Sequence, residues 1–145
     1  VEGDGNNLGF RDIIEEFGGT PAASLANFYM GVINLNQGKF EAARLYLEDF
    51  SSDDLLVQAR AYSLIGDTYM EQKDYPNAAS FYGKASAYKP NKEFTPLYMM
   101  KEALAYEKLK QNDKASAIYQ KIIDNYGDSP EVQNAKKYQA VLGLQ

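Results

Sequence analysis

Small, apolar and aromatic residues recur along this chain at two periods, one helical and one much longer. Phe28, Val32 and Leu35 fall four and three residues apart, the spacing of one helix face. The longer period shows in whole segments. Phe10-Arg-Asp-Ile-Ile-Glu-Glu-Phe-Gly-Gly-Thr-Pro21 returns as Tyr119-Gln-Lys-Ile-Ile-Asp-Asn-Tyr-Gly-Asp-Ser-Pro130, 109 residues later. Leu47 and Tyr82 divide the interval from Phe10 to Tyr119 into steps of 37, 35 and 37. Gly31, Gly66 and Ala103 repeat the last two steps, and so do Ala43, Ala78 and Ala115. Three series with the same steps define repeated units.

The pattern predicts an opening helix from Leu8 to Phe17, then helix pairs at 22–36 and 39–50, 55–71 and 75–88, and 95–110 and 113–126, with a last helix at 130–142. Thr20-Pro21 and Ser129-Pro130 read as helix starts, with the hydroxyl as cap and proline in the first turn. Asp53 and Asp54 read as caps of the helix at 55. Residues 92–95 give the third pair a longer lead-in before Pro96. Gly or Ala stands where paired helices must approach closely. One pair cannot bury its own apolar face, so units must stack.

Ala59 to Pro90 is the most regular unit. It carries Tyr62, Ile65, Gly66, Tyr69, Ala78, Tyr82, Ala85 and Pro90, at unit positions 4, 7, 8, 11, 20, 24, 27 and 32. This unit resembles the tetratricopeptide repeat at all eight of that family's marked positions. The resemblance implies an all-α, right-handed solenoid of antiparallel helix pairs in a single domain. Its parts would be a half repeat at 8–21, full repeats at 24–58, 59–95 and 96–129, and a capping helix at 130–145. The first full repeat departs from the pattern at Asn27, Asn34 and Phe50, and the third at Glu102, Ala103 and Ile122.

Repeat arrays act through extended concave surfaces. By resemblance, that surface is lined by Leu25, Phe28, Val32, Leu35 and Asn36 in the first unit. Arg60, Ser63, Asp67, Met70 and Glu71 would line it in the second, and Leu97, Met100, Leu104, Glu107 and Lys108 in the third. Tetratricopeptide co-chaperones grip a C-terminal carboxylate with Lys and Asn at groove positions 5 and 9. Here those positions hold Phe28, Val32, Ser63 and Asp67, so a clamp of that kind is not expected. Phe28, Val32 and Leu35 lie inside a charge-free stretch from Phe17 to Gly38. Two readings of this apolar face stand side by side. It receives a peptide or helix of a partner, or it is covered by an upstream helix or a neighbouring copy of the chain.

Composition narrows the chemistry. The 145 residues contain no Cys, His or Trp, which removes disulfides, Cys/His zinc sites, Cys nucleophiles and His-based triads. The net charge of −5 makes a nucleic-acid backbone an unfavourable partner. Twelve tyrosines suggest a stacking platform, but of Tyr29, Tyr62, Tyr69, Tyr82, Tyr106 and Tyr119 most fall on core positions of the repeat. The Gly3–Gly9 stretch lacks the strand, spacing and Lys of a phosphate loop and reads as a turn. Its Asp4 and Asn6 lack the Gly and terminal Glu of a calcium loop. Glu15/Glu16, Asp53/Asp54, Asp124 and Asp128 read as solvated faces and caps, and no pair stands out for acid–base work. No catalytic residue, cofactor or metal is expected. The charge-free stretch is too polar to span a membrane.

The array opens on half a unit, which reads as a boundary within a longer chain, with a domain that simply ends this way as the alternative. Residues 1–35 are similar to the start of the soluble part of membrane-anchored tetratricopeptide proteins of Bacteroidetes, akin to YfgM-type ancillary subunits of the secretion translocon. That similarity implies an upstream transmembrane anchor and a location on the periplasmic side of the bacterial inner membrane, with the cytoplasm as the alternative. The expected function is a non-catalytic scaffold or chaperone-like adaptor that binds a protein or peptide partner. The alternatives are a homodimerisation module and a regulatory domain of a larger chain.

Overall fold

The computed structural model describes residues 9–144. Among them are eight α-helices and no strand: α1 (Phe10–Glu16), α2 (Pro21–Asn36), α3 (Phe40–Glu48), α4 (Leu55–Glu71), α5 (Tyr75–Ala87), α6 (Thr95–Lys108), α7 (Asn112–Asn125) and α8 (Val132–Leu142). The glycine-rich turn expected at 3–9 lies outside the described residues except for Gly9. Each helix packs chiefly on the next one along the chain, so the array is linear. Helices α2, α4 and α6 form one layer, and α3, α5 and α7 the other.

The two layers are joined by three turns of one design. Gly38, Lys73 and Lys110 each adopt a left-handed backbone, with φ of 72°, 61° and 60°. The amide after each donates back across the turn at 2.9 Å, from Lys39 to Asn34, Asp74 to Tyr69 and Gln111 to Tyr106. Only the first turn places glycine where L-residues are strained.

The repeated small residues meet the repeated large ones. A Cβ on Gly66 would stand 2.7 Å from the Tyr82 ring, and one on Gly31 would stand 2.4 Å from Leu47 Cγ. The glycines therefore set how closely α2 approaches α3 and α4 approaches α5. Burial is distributed along the array rather than gathered in one core. Phe28, Leu47, Phe50, Ala61 and Ile65 fill the space between the first two units, while Met99, Ala103, Tyr119, Ile122 and Val132 fill the space around α7. Between units, Arg44 of α3 donates to Thr68 Oγ1 at 3.1 Å and Gln72 Oε1 at 2.6 Å, and its guanidinium lies over the Tyr69 ring.

Helix starts follow the sequence in part. Thr20 Oγ1 accepts from Ala23 N and Asp54 Oδ1 from Leu56 N and Val57 N, as N-caps do. Asp53 is not a cap; its carbonyl accepts the Lys89 ammonium instead. Ser129 does not cap α8, which begins at Val132. The residue's carbonyl accepts from Val132 N, and its hydroxyl is buried without a partner.

Candidate functional site

The face shared by α2, α4 and α6 carries the residues assigned to the groove. Its centre is an ionic cluster. Lys101 Nζ on α6 donates to both carboxylate oxygens of Asp67 on α4, at 2.9 and 3.1 Å, and lies 3.4 Å from Ser63 Oγ. Tyr82 OH, from α5 in the outer layer, donates to Asp67 Oδ1 at 2.7 Å. Burial pushes the Tyr82 phenol well above its ordinary value, and the Asp67 charge pushes the same way, so Tyr82 remains a donor. One carboxylate thus ties together two first helices and one second helix.

Apolar side chains flank this cluster. On α6, Leu97 and Leu104 lie on the same face as Lys101, four residues before it and three after, and are 42% and 37% exposed. On α2, Leu25 is exposed and Val32 and Leu35 are half-buried. Between α2 and α4, Leu35, Asn36, Phe40, Met70 and Glu71 line a hollow of about 430 Å³ that reaches Asp67 and Tyr82. Arg60 is exposed, and Met70 and Asp67 are half-buried.

Three expected groove residues are withdrawn from the surface. Phe28 is only 6% exposed, because Phe50 supplies a ring 5.3 Å away and the Arg60 guanidinium lies over its outer face. Ser63 and Met100 are also buried, Ser63 beside the Lys101 ammonium and Met100 in the core around α7. Of the expected groove residues, the accessible set is therefore Leu25, Val32, Leu35, Arg60, Asp67, Met70, Leu97 and Leu104. Lys101 joins it, although sequence reasoning missed it. No repeat register links the two: the second and third units are offset by 37 residues, so Lys101 corresponds to Leu64, whereas the counterpart of Asp67 is Leu104.

Tyr82 and Tyr119 are fully buried, with hydroxyls donating to Asp67 and Glu107. Tyr62, Tyr69 and Tyr106 are half-buried, whereas Tyr29 is 44% exposed and stacks on Phe10 at 5.4 Å. Among the described residues, no group of three or more Asp or Glu side chains is placed to hold a metal ion. No helix in them is long and apolar enough to cross a membrane.

A linear array of helix pairs, with repeated turns and repeated Gly–aromatic contacts, defines a helical-repeat protein of the kind that binds through its inner face. Two family models, both described as tetratricopeptide repeat, match residues 33–93 and 69–137, and together they span most of the chain. The chain belongs to the tetratricopeptide repeat family. A search of curated proteins finds no match. Repeats of this family generally mediate protein–protein interaction.

Proposed function

We propose that this chain is a non-catalytic scaffold or chaperone-like adaptor that receives a peptide, helix or partner domain in its concave groove. The observation that carries this reading is the pair of half-exposed leucines on α6, Leu97 and Leu104, set beside the Asp67–Lys101 ion pair. An apolar strip next to a fixed charge pair supplies burial for anchoring and polarity for register. The helices are already ordered, which lowers the entropy cost of docking.

The test compares the full-length protein with a Leu97→Asp/Leu104→Asp variant in cells, by cross-linking and recovery of bound proteins. Loss of a specific partner, with helicity unchanged, supports the groove. An unchanged partner set refutes it. Phe28→Asp is unsuitable for this purpose, because it places a charge in the core between units.

The periplasmic, membrane-anchored setting is part of the same proposal and rests on the similarity of residues 1–35 to anchored envelope proteins. Fractionation of cells producing the full-length protein tests it. Self-association is a second reading, favoured by Phe17 and Tyr29, each nearly half exposed at the α1–α2 end. Light scattering across a concentration series distinguishes it, since a strict monomer rules it out.

A further inference from the structure

Asn27, Tyr62 and Met99 occupy the same position in successive units, 35 and 37 residues apart. Two units fill this position with bulk, whereas the first places an amide there. Asn27 is 8% exposed, and its Oδ1 is buried with no hydrogen-bond partner. A buried acceptor without a donor works against folding, so packing does not explain the choice.

The missing bulk opens onto a cleft of about 690 Å³, where the α1–α2 turn, the α3–α4 loop and the end of α5 converge. Asn27 lies on its wall with Tyr62, Tyr88, Val57, Asp49 and Asp53, and among the described residues no Lys or Arg lines it. The loop wall is held in place. Ser24 Oγ donates to the Ser51 carbonyl at 2.8 Å, Tyr88 OH to the Ser52 carbonyl at 3.1 Å, and Ser52 N to Gln58 Oε1 at 2.8 Å. Lys89 stands by two of these lining residues: its ammonium lies 5.5 Å from the Tyr88 ring centre and donates to the Asp53 carbonyl at 2.6 Å. One rim of the cleft thus already holds a cation by an aromatic ring and an oxygen.

We propose that this cleft takes an arginine side chain presented by a partner polypeptide. A guanidinium offers five donors in a plane and stacks on aromatic rings. Asn27 Oδ1 supplies an acceptor once the amide turns about χ2 to face the cleft. Asp49 and Asp53 supply negative charge, Tyr62 and Tyr88 supply rings, and Val57 receives the aliphatic stem. The site lies at the edge of the array where the loops gather and shares only Leu25 with the groove wall.

The experiment is an NMR titration of the intact chain with the peptide acetyl-Gly-Arg-Gly-amide. Its citrulline counterpart, which has the same shape without the charge, serves as control. The arginine peptide is expected to shift the Asn27 side-chain amide and the 49–53 backbone signals saturably. The citrulline peptide should bind about tenfold more weakly. Asn27→Leu should abolish the shifts while raising the melting temperature, since it restores bulk at this position. Asp49→Asn/Asp53→Asn alters only exposed side chains and should weaken binding without changing the fold. Equal binding of the citrulline peptide overturns the proposal, as does full binding by the double Asn variant. Free guanidinium binding as tightly as the peptide overturns the polypeptide source.

Discussion

Lys101 and Asp67 belong to successive units and meet at 2.9 Å across the inner face, each side chain about one-third exposed. The pair joins the first helices of two units that otherwise touch little. Partial exposure limits its energetic worth to about 0.5–1 kcal/mol. A double-mutant cycle with Lys101→Met and Asp67→Asn, read by urea midpoint, should return a coupling in that range. Zero coupling would mean that α5 alone sets the α4–α6 register.

The left-handed turns give a second prediction. Lys73 and Lys110 hold the backbone that Gly38 holds in the first unit. An L-residue in that region costs about 1 kcal/mol relative to glycine. Lys73→Gly and Lys110→Gly should each raise the denaturant midpoint accordingly, and Gly38→Ala should lower it. Destabilisation by both glycines would show that the lysine side chains contribute more than the strain costs.

The contact of Gly66 with Tyr82 gives a third. Gly66→Ala gains helix propensity but drives a methyl into a ring 2.7 Å away, with a net loss of about 1–3 kcal/mol. The third unit already carries Ala103 at this position, so Ala103→Gly should cost only about 1 kcal/mol, through propensity. Thermal melts of the two variants check the contrast.

Glu102 gives a fourth. It occupies the position held by Ile65 in the second unit and is half-buried against Gly83, with Ser86 Oγ 3.3 Å from its carboxylate. Burial raises its carboxyl above the ordinary 4.5, and the Ser86 hydrogen bond and the Lys121 charge offset this only in part. The folded state therefore holds this proton more tightly than the unfolded state. Its contribution is most favourable below 4.5 and is lost as pH rises through the raised folded value. Melting temperatures measured from neutral pH down towards 4.5 should show a component that Glu102→Gln removes, and that variant should be more stable at neutral pH. An identical pH profile for the two proteins would contradict this.

Much of the architecture is legible in the sequence because its determinants are local and repeated. The steps of 35 and 37 that relate Gly31, Gly66 and Ala103 are the same steps that relate the turns at Gly38, Lys73 and Lys110. Helix spans follow the sequence within a few residues. The groove is less legible because its composition depends on contacts between units. Phe28 sits at a groove position of the repeat, but Phe50, a bulky residue at a normally small position, draws it into the core. Lys101 reaches Asp67 in the neighbouring unit from a different repeat position, which no single-unit pattern encodes. Ser129 carries the signature of a cap, yet the turn before α8 runs two residues further and leaves its hydroxyl buried.

The central claim is that the inner face holds a protein partner. The most direct test places a photo-reactive amino acid at Leu104, on the groove wall, and separately at Leu45, which is 66% exposed on α3 in the outer layer. On irradiation of cells producing the full-length protein, the account predicts a discrete adduct from position 104 and none of that mass from position 45. A discrete adduct from position 45 alone would contradict it and move the binding surface to the opposite face.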